Sequence, residues 1–460
     1  MQTEQSLSLA NPNPIHTSGL QKLGLAAISI SVLLLLVTWA SGHSLGNPTL
    51  MLAIIFSLAI IGTLLYVREE YLNKPEGIKN NGAFFKSLTY RGLFGWMLGV
   101  LLTGFYVILY WFPEYLKGLV QLFDPLSMFF TNHPADSWFV YGTLYTSSVI
   151  LMGYKFAMKY RHNRYQLIRT ASVTFFQLGF SFLIPSFLKM MNEPDYYFSY
   201  FWPLKDTYLK PGGETHWGIK NIVASSSHNL GMYFIGFSIL MSFVGVPVLT
   251  YFFGKRWYCS WVCGCGGLAE TVGDPFRHLS DKSLKAWKFE RWMIHSVLIF
   301  VTVTTALLWI NSYMQGGLLG SLSMGFSKTY AFLIGSIFSG VIGTGFYPIL
   351  GSRSWCRFGC PQAAILGLFQ RKKSKFRITT NGGQCISCGN CSTYCEMGID
   401  VRSYAQKGQD IVRSSCVGCG ICSAVCPRGV LRLENSDVDI DTRADDKRAI
   451  HITDGKFEVM

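Results

Sequence analysis

Eight long apolar stretches restrict what this chain can fold into more than any other feature of its sequence. Each holds about 20 residues, the length that an α-helix needs to cross a hydrocarbon core of roughly 30 Å. The stretches lie near residues 24–41, 49–67, 92–113, 137–156, 168–188, 231–253, 292–311 and 331–350. Of the 460 residues 14% are charged, against roughly a quarter in soluble proteins. The sequence therefore predicts an α-helical integral membrane protein with about eight transmembrane helices.

The basic residues between the stretches predict which way the helices point. Lys and Arg cluster after the second, fourth, sixth and eighth stretches and are fewer after the others. The connection 189–230 is the exception, because it holds four lysines, and four acidic residues offset them. Positive residues are retained on the cytoplasmic side of a membrane, so we expect both termini in the cytoplasm and the protein in the bacterial inner membrane. The net charge of +14 thus indicates topology rather than nucleic-acid binding. Charged residues are nearly absent inside the stretches, which disfavours a transporter or channel.

Two cysteine motifs follow the last basic cluster, where the hydropathy falls. The chain reads CISCGNCSTYC over 385–395 and CVGCGICSAVCP over 416–427. Each is the C-x2-C-x2-C-x3-C run that in bacterial ferredoxins gives three thiolates to one [4Fe-4S] cluster and the fourth to the other. The predicted iron ligands are Cys385, Cys388, Cys391 and Cys426 for cluster one, and Cys416, Cys419, Cys422 and Cys395 for cluster two. Gly389, Gly418 and Gly420 predict the tight turns that let the sulfurs converge.

Zinc is the alternative metal, because paired C-x2-C units also build structural zinc sites. Eight cysteines in two such runs, the second closed by Pro427, favour iron. Glu396 stands after Cys395, where such a run ordinarily continues with proline. The sequence therefore predicts an α+β 2[4Fe-4S] ferredoxin-like domain over residues 376–432, followed by an acidic tail with some strand character and no assigned chemistry.

A second pair of cysteine motifs lies at the ends of two apolar stretches. Residues 254–263, GKRWYCSWVC, and 351–361, GSRSWCRFGCP, share Gly-x-Arg-x-aromatic-Cys-x3-Cys. Both follow stretches predicted to run from outside to inside, so they form a parallel internal repeat. Together they place four thiolates, the number that a cluster needs, at the cytoplasmic membrane face. These are Cys259, Cys263, Cys356 and Cys360, with Cys265 as an extra.

Two redox assignments stay open for these four helix-end cysteines, an additional iron-sulfur cluster or a redox-active dithiol. Against both, cysteines also pack helix ends as small soft side chains or carry acyl groups. All 13 cysteines occur from residue 259 onward and on the predicted cytoplasmic side, where thiols stay reduced. This distribution favours a redox or metal role.

These features divide the chain into five parts. They are a cytoplasmic segment 1–23, a transmembrane domain 24–350 with the first helix-end motif at 259–265, the second motif and a basic linker 351–375, the ferredoxin-like domain 376–432 and the tail 433–460.

On these motifs the chain resembles the membrane-bound polyferredoxins of the NapH, NosR and CcoG type, which are 4Fe-4S ferredoxin-type integral membrane proteins. The resemblance covers about residues 231–430. Cys356-Arg-Phe-Gly-Cys360-Pro361 fits the family's Cys-x3-Cys-Pro motif, whereas Gly264-Cys265 stands where the first copy would have proline. No separate flavin domain of the NosR type or added β-domain of the CcoG type is predicted. The NapH-like arrangement is therefore the most similar, with additional helices at the front.

The resemblance implies electron transfer at the cytoplasmic membrane, and it leaves two functions open. One is a redox subunit, rather than a stand-alone enzyme, that relays electrons between the quinone pool or a membrane partner and a reductase system. The other is an assembly factor that reduces a metal such as copper, or a thiol, for another respiratory enzyme. Membrane lipid, other electron-transfer proteins or reductase subunits, and quinone are the expected partners, and no nucleic acid is expected.

A few polar residues are candidates for binding quinone or haem. His295 stands at the cytoplasmic start of the seventh stretch, while Asp124 and His216 lie in external segments. A histidine at such an edge is more often satisfied by water or backbone. A haem held by His228 and His295 is disfavoured, because the two are predicted at opposite membrane faces. The aromatic external segments 122–138 and 196–208 are typical of membrane belts.

Overall fold

Helices make up most of the structure, a computed structural model that describes residues 18–73, 91–194, 196–198, 230–314, 317–320, 322–435, 450–453 and 456–459. In chain order they are α1 (Gly19–Ser41), α2 (Pro48–Val67), α3 (Leu93–Trp111), α4 (Lys117–Thr131), α5 (Ser137–Lys159), α6 (Arg164–Met190), α7 (Leu230–Phe253), α8 (Arg256–Cys259), α9 (Gly264–Thr271), α10 (Leu284–Tyr313), α11 (Leu322–Tyr330, continuing to Gly345), α12 (Tyr347–Leu350), α13 (Ser354–Phe358) and α14 (Pro361–Lys373).

Seven of the described helices are long and apolar enough to cross a membrane. They are Gly19–Ser41, Pro48–Leu72, Leu93–Trp111, Arg164–Met190, Leu230–Phe253, Leu284–Tyr313 and Gly325–Gly345. Each of them coincides with one of the eight apolar stretches. The predicted number of about eight transmembrane helices is therefore close to the seven found among the described residues.

The remaining stretch, 137–156, forms α5, a helix of 23 residues that is not apolar enough to count among these seven. Lys155 and Lys159 lie near its end, both buried, and Lys159 Nζ lies 2.7 Å from Asp274 Oδ2. Helix α5 thus ends in a buried ion pair with the segment that follows the first helix-end motif.

Helix α4 has no counterpart among the predicted spans, because its sequence overlaps an external aromatic segment. Leu119, Leu122 and Phe123 follow one helix face and are buried against α1, α2 and α5. Phe129 on another face is 75% exposed. Asp124, a candidate for quinone binding, accepts a hydrogen bond of 2.8 Å from the Ala135 backbone N–H, so in this structure it fixes a turn.

Four of the long helices contain wide π-helical turns, one of them at Arg68–Leu72, and the other three segments end just before a proline. These three are Phe176–Leu183 before Pro185, Met241–Gly245 before Pro247 and Ala331–Gly345 before Pro348. Proline has no N–H to donate and its ring crowds the carbonyl four residues earlier. A wider turn relieves that crowding.

The ferredoxin-like domain is built on two short antiparallel strands, β1 (Arg377–Thr380) and β2 (Leu431–Glu434). Arg377 pairs with Glu434 and Thr380 with Leu431. Between the strands lie α15 (Asn390–Thr393), α16 (Val401–Gln406) and α17 (Ile421–Ala424). A second pair, β3 (Ile450–Thr453) with β4 (Lys456–Val459), supplies the strand character expected of the tail.

Hydrogen bonds fix the ferredoxin-like domain to one end of the helix bundle. Tyr165 Oη donates to Gly418 O at 2.9 Å, and Ser260 Oγ donates to Val417 O at 2.7 Å. Ser280 Oγ donates to Glu396 O, also at 2.7 Å. These donors lie at helix ends that the charge pattern assigns to the cytoplasm.

Candidate iron-sulfur centre

The eight cysteines of the ferredoxin-like domain surround two cavities of nearly equal size. The first encloses about 360 Å³ of free space, its mouth included, and its cysteines are Cys385, Cys388, Cys391 and Cys426. The second encloses about 370 Å³, and its cysteines are Cys395, Cys416, Cys419 and Cys422. The motif pattern assigned the same two sets to clusters one and two. Each cavity therefore fits a cofactor that takes four thiolates.

Backbone turns with positive φ bring the sulfurs of each run around its cavity. Gly389 and Gly420 hold equivalent positions with φ of +79° and +72°, and Gly418 has +62°. The tight turns predicted at these three glycines are confirmed. Ser387 takes the place of Gly418 in the first run and also has positive φ, +57°. Its hydroxyl accepts a 2.7 Å hydrogen bond from Gln406 Nε2, which supports the unusual conformation.

The spacing of the ligands bears on the choice between iron-sulfur clusters and zinc. A zinc ion draws all its ligands to one point, whereas each cysteine of a [4Fe-4S] cube binds a different iron. Among the described residues, no three His, Cys, Asp or Glu side chains lie close enough to share a single ion. The open arrangement around each cavity favours the cube.

The two cavities differ in their exposure. Cys388 of the first is exposed, as is Ile386 at 58%, and only residues of the ferredoxin-like domain line this cavity. Cys395, Cys416 and Cys422 of the second are buried. The second cavity also lies against the bundle, because Gln166 Nε2 of α6 donates to Cys419 O at 2.9 Å. One cavity thus faces outward and the other faces the membrane helices.

The helix-end motifs share their backbone structure as well as their sequence. Gly254 and Gly351 end the preceding helices with φ of +62° and +92°. Cys259 and Cys356 then lie in the short helices α8 and α13. Each second cysteine, Cys263 or Cys360, precedes the first residue of the next helix, α9 or α14. The predicted parallel repeat therefore places two equivalent cysteines from each copy at the same end of the bundle.

Electrostatic effects among these cysteines indicate that the two motifs converge. Burial raises the pKa of the Cys259 thiol to about 12, Lys255 opposes the rise, and Cys263 and Cys356 add to it. The pKa of Cys263 is lowered to about 7, first by a hydrogen bond with Cys265 and also by Arg353. Thiols from both motifs, Cys265 included, therefore lie near enough to influence one another's charge.

Arg353 connects the helix-end cysteines to the ferredoxin-like domain. Its Nη1 donates to Cys259 O at 3.1 Å and lies 3.8 Å from Cys356 Sγ. Its Nη2 forms an ion pair with Glu396 Oε1 at 3.0 Å, at an angle outside that of a hydrogen bond. Arg277 Nη1 donates to the other carboxylate oxygen at 3.0 Å. Arg353 thus touches both helix-end motifs and the residue that follows Cys395.

The carboxylate of Glu396 stays ionised although it is fully buried. Burial alone would raise its pKa, but Arg353 and Arg277 hold that pKa below its usual value. Further buried pairs join Arg169 to Glu270 and Arg357 to Glu290. This ion-pair network could not be predicted from the sequence, because its arginines resemble the ordinary positive residues of a cytoplasmic loop.

A large groove lies beside the second cavity, where the ferredoxin-like domain meets the membrane helices. It holds about 1440 Å³ of free space, its open side included, and Gly420 belongs to its wall and to that of the second cavity. Tyr165, Ile168 and Ser172 line it along one face of α6, over two helical turns. The groove thus runs from the ferredoxin-like domain into the start of a candidate membrane helix.

Arg256 forms part of the same groove. Its guanidinium lies 4.5 Å from the ring centre of Phe376 and 5.4 Å from that of Trp261. The Nε–H of Arg256 is buried and has no hydrogen-bond acceptor among the residues that the structure describes, while Nη2 donates to Asn435. The groove therefore offers aromatic walls and one unused donor. His216 and His228, which were considered for quinone and haem, lie outside the described residues.

The family comparisons match the regions that carry the cysteines. A 4Fe-4S binding domain model matches residues 235–283 and 330–379, which contain the two helix-end motifs. A 4Fe-4S dicluster domain model matches residues 384–431, which contain the two cysteine runs.

Several curated proteins are similar to this chain. YccM of Escherichia coli, named provisionally as an electron transport protein, is 24% identical over 43% of the chain. The methylamine utilization ferredoxin-type protein MauN of Paracoccus denitrificans is 27% identical over 37%, and the ferredoxin-type protein NapH of Escherichia coli is 28% identical over 33%. The matches span 57%, 60% and 50% of the lengths of these relatives. No solved structure matches the chain.

Proposed function

Because the chain is a membrane-bound polyferredoxin of the ferredoxin-type family that includes MauN and NapH, we propose that it relays electrons between the quinone pool and a reductase system. The observation that carries this proposal is the pair of four-cysteine cavities, one against the membrane helices and one facing outward. Two [4Fe-4S] clusters in these cavities supply one-electron redox chemistry. The proposed ligands are the two sets of four cysteines named above, and the proposed domain boundaries are those predicted from the sequence.

The groove beside Gly420 supports quinone as the membrane-side partner. A quinone is a flat ring with two carbonyl oxygens and a long apolar tail, so it needs aromatic walls, hydrogen-bond donors and access from lipid. Trp261 and Tyr165 supply rings, Arg256 Nε–H is an unused donor, and Ile168 on α6 is 59% exposed. A quinone headgroup here would adjoin the wall of the second cavity.

The helix-end cysteines support a third redox site, either a further cluster or a dithiol, at the membrane side of cluster two. Arg353 links them to Glu396, next to Cys395, which gives the site direct contact with the second cavity's surroundings. We also expect the ferredoxin-like domain and both termini to lie in the cytoplasm, since the helix ends rich in Lys and Arg gather at that domain.

Anaerobic purification followed by iron analysis and electron paramagnetic resonance tests the cofactor assignment. About eight iron atoms per chain correspond to two clusters, and about twelve add one at the helix ends. If the chain holds twelve iron atoms, the double variant Cys259→Ser with Cys356→Ser should hold fewer. If it holds eight, the same variant should abolish labelling of the dithiol by a thiol reagent. Cys265→Ser shows whether the additional thiol belongs to the same site. An iron-free chain would refute the proposal.

Quinol addition to the protein in liposomes tests the electron donor. Reduced quinol should bleach the visible absorption of the oxidised clusters within seconds. Ile168→Trp would fill the groove and should slow this reaction at least tenfold. Ile299→Trp on the exposed face of α10, where Ile299 is 64% exposed, is the control. Equal slowing by both variants, or none by either, would exclude this groove as the quinone site.

The assembly-factor function is the second candidate because the helix-end thiols could themselves bind and reduce a metal. The neighbouring Cys265 lowers the pKa of the Cys263 thiol to about 7, which favours the reactive thiolate, and Cys265 itself is exposed. Soft thiolates favour Cu(I). Reduction of added Cu(II) that requires Cys263 and Cys265, together with no response to quinol, would favour this function over the first.

A further inference from the structure

A strongly basic groove lies between the start of α10 and the far side of the ferredoxin-like domain. Lys288 and Arg291 of α10, Arg371 near the end of α14, and Arg413 of the domain all line it. The groove holds about 1470 Å³ of free space, its open side included. It is separate from the cysteine cavities and from the groove beside Gly420, so the proposed electron transfer does not use it.

The positive charge of this groove has no neutralising partner among the residues that line it. None of those residues is acidic. The nearest carboxylate on α10, Glu290, is buried and accepts a 2.7 Å hydrogen bond from Arg357 Nε. Within the described residues no ion pair involves Lys288, Arg291, Arg371 or Arg413. Four cations gathered without a counter-charge attract an anion.

Two tryptophans place this groove at the level of the lipid headgroups. Trp287 lies between the guanidinium groups of Arg291 and Arg413, which are 5.2 and 4.8 Å from its ring centre. Trp292 is 70% exposed on a helix that is apolar and long enough to span the membrane. Tryptophan is enriched at the membrane interface, and basic pockets beside spanning helices bind anionic headgroups.

We propose that this groove binds the phosphate headgroup of an anionic phospholipid. The lipid would join α10 to residues 412–414 of the ferredoxin-like domain. Gln370 Nε2 donates to both Arg413 O and Cys416 O at 2.8 Å, so the same segment is tied to the wall of the second cavity. Bound lipid would thereby hold the domain against the membrane at a point opposite the groove beside Gly420.

The chain's own acidic tail is a less suitable occupant. Asn435 accepts a 2.6 Å hydrogen bond from Arg256 Nη2, so the chain leaves the domain beside the other groove. An acidic soluble protein is the remaining rival, and it would not discriminate between lipid classes.

Native mass spectrometry of the full chain tests the proposal directly. The protein is delipidated in detergent and offered phosphatidylglycerol or phosphatidylcholine. Phosphatidylglycerol should be retained preferentially. Lys288→Ala with Arg371→Ala should weaken that retention about thirtyfold, because each basic contact near the bilayer surface contributes roughly a fivefold factor. Both side chains are exposed, so the substitutions leave the core unchanged.

The control removes the same charge from the same end of the molecule. Lys372→Ala with Lys373→Ala changes two exposed residues outside the groove and should leave retention unchanged. If both double variants lose phosphatidylglycerol equally, retention depends on the overall positive charge and not on the groove, and the proposal is overturned. Full competition by inorganic phosphate would make the groove a phosphate site, and equal retention of both lipids would leave no headgroup selection. Each of these results contradicts lipid binding in the groove. The iron content of the same samples tests the clusters separately, so the two proposals can fail independently.

Discussion

Glu396 is the residue whose surroundings depart furthest from those of a simple ferredoxin. Its side chain enters a fully buried site between Arg277 and Arg353, while its backbone carbonyl accepts a hydrogen bond from Ser280. Burying charges costs several kcal/mol for each ion, and the cost is offset only when every partner is present. The residue therefore makes the fit of the domain on the helices depend on three charges together.

Replacement of Glu396 by Gln should destabilise the protein by about 3 kcal/mol, because two buried guanidinium groups lose a charged partner while the shape is kept. The measurement is the midpoint of thermal bleaching of the cluster absorption in detergent. Asp136→Asn is the control, since Asp136 pairs with Lys189 at 3.2 Å on the surface and such pairs contribute at most about 1 kcal/mol. Similar midpoints for the two variants would show that the buried charge of Glu396 contributes no more to stability than a surface charge, and this result would contradict the prediction.

At the scale of elements, the long helices could be predicted from the sequence, whereas the shorter helix α4 and the π-helical turns could not. Apolar length alone identified the seven spans, because a hydrocarbon core selects on hydropathy. Helix α4 was not recognised, since Leu119, Leu122 and Phe123 face other helices and aromatic residues around them resemble a membrane belt. The π-helical turns before Pro185, Pro247 and Pro348 depend on hydrogen-bond geometry that a hydropathy pattern does not contain.

For the site, cysteine spacing predicted which side chains gather around each cavity, because a rigid cluster with fixed ligand number imposes its spacing on the sequence. The ion pairs beneath the domain were beyond such reasoning. Arg277 and Arg169 are in basic segments, and nothing in a single sequence separates a buried arginine from one that faces cytoplasm. Only the fold brings Arg277 to Glu396, which is 119 residues away along the chain.

The turns of the two cysteine runs allow a matched comparison. Gly389 and Gly420 are equivalent and have similar positive φ, so alanine should cost each about 1 kcal/mol from backbone strain. A Cβ at Gly420 would also lie 2.8 Å from Tyr165 Cε1, whereas at Gly389 the nearest atom is 3.9 Å away. We therefore expect Gly420→Ala, and not Gly389→Ala, to loosen the domain from α6.

Limited proteolysis between the domain and the helices, followed on intact membranes, measures that loosening. Cleavage after the basic residues of 371–375 should accelerate in Gly420→Ala only. Equal cleavage rates in the two variants would mean that Tyr165 does not secure the domain, and Tyr165→Phe, which removes the hydrogen bond to Gly418 O, checks the same contact independently.

On the scale of the whole molecule, the positions of the two cavities define an order for electron transfer. The cavity of Cys395, Cys416, Cys419 and Cys422 lies against α6 and near the helix-end cysteines, whereas Cys388 marks the outward side. A membrane-side donor and a water-soluble acceptor, or the reverse pair, would therefore meet the protein at different clusters. That separation requires the ferredoxin-like domain to lie on one defined side of the membrane.

Reporter fusions test that side. A fluorescent protein joined after residue 460 should fluoresce, and alkaline phosphatase at the same point should be inactive, because the basic helix ends beside the domain are retained in the cytoplasm. The matched insertion is at Gly46, between α1 and α2, where φ is +72° and no atom lies within 4 Å of an added Cβ. Alkaline phosphatase inserted there should be active, since that loop joins the opposite ends of the helices. Activity of the phosphatase at residue 460 would place the clusters outside the cell and would remove the reducing compartment on which their thiolates depend.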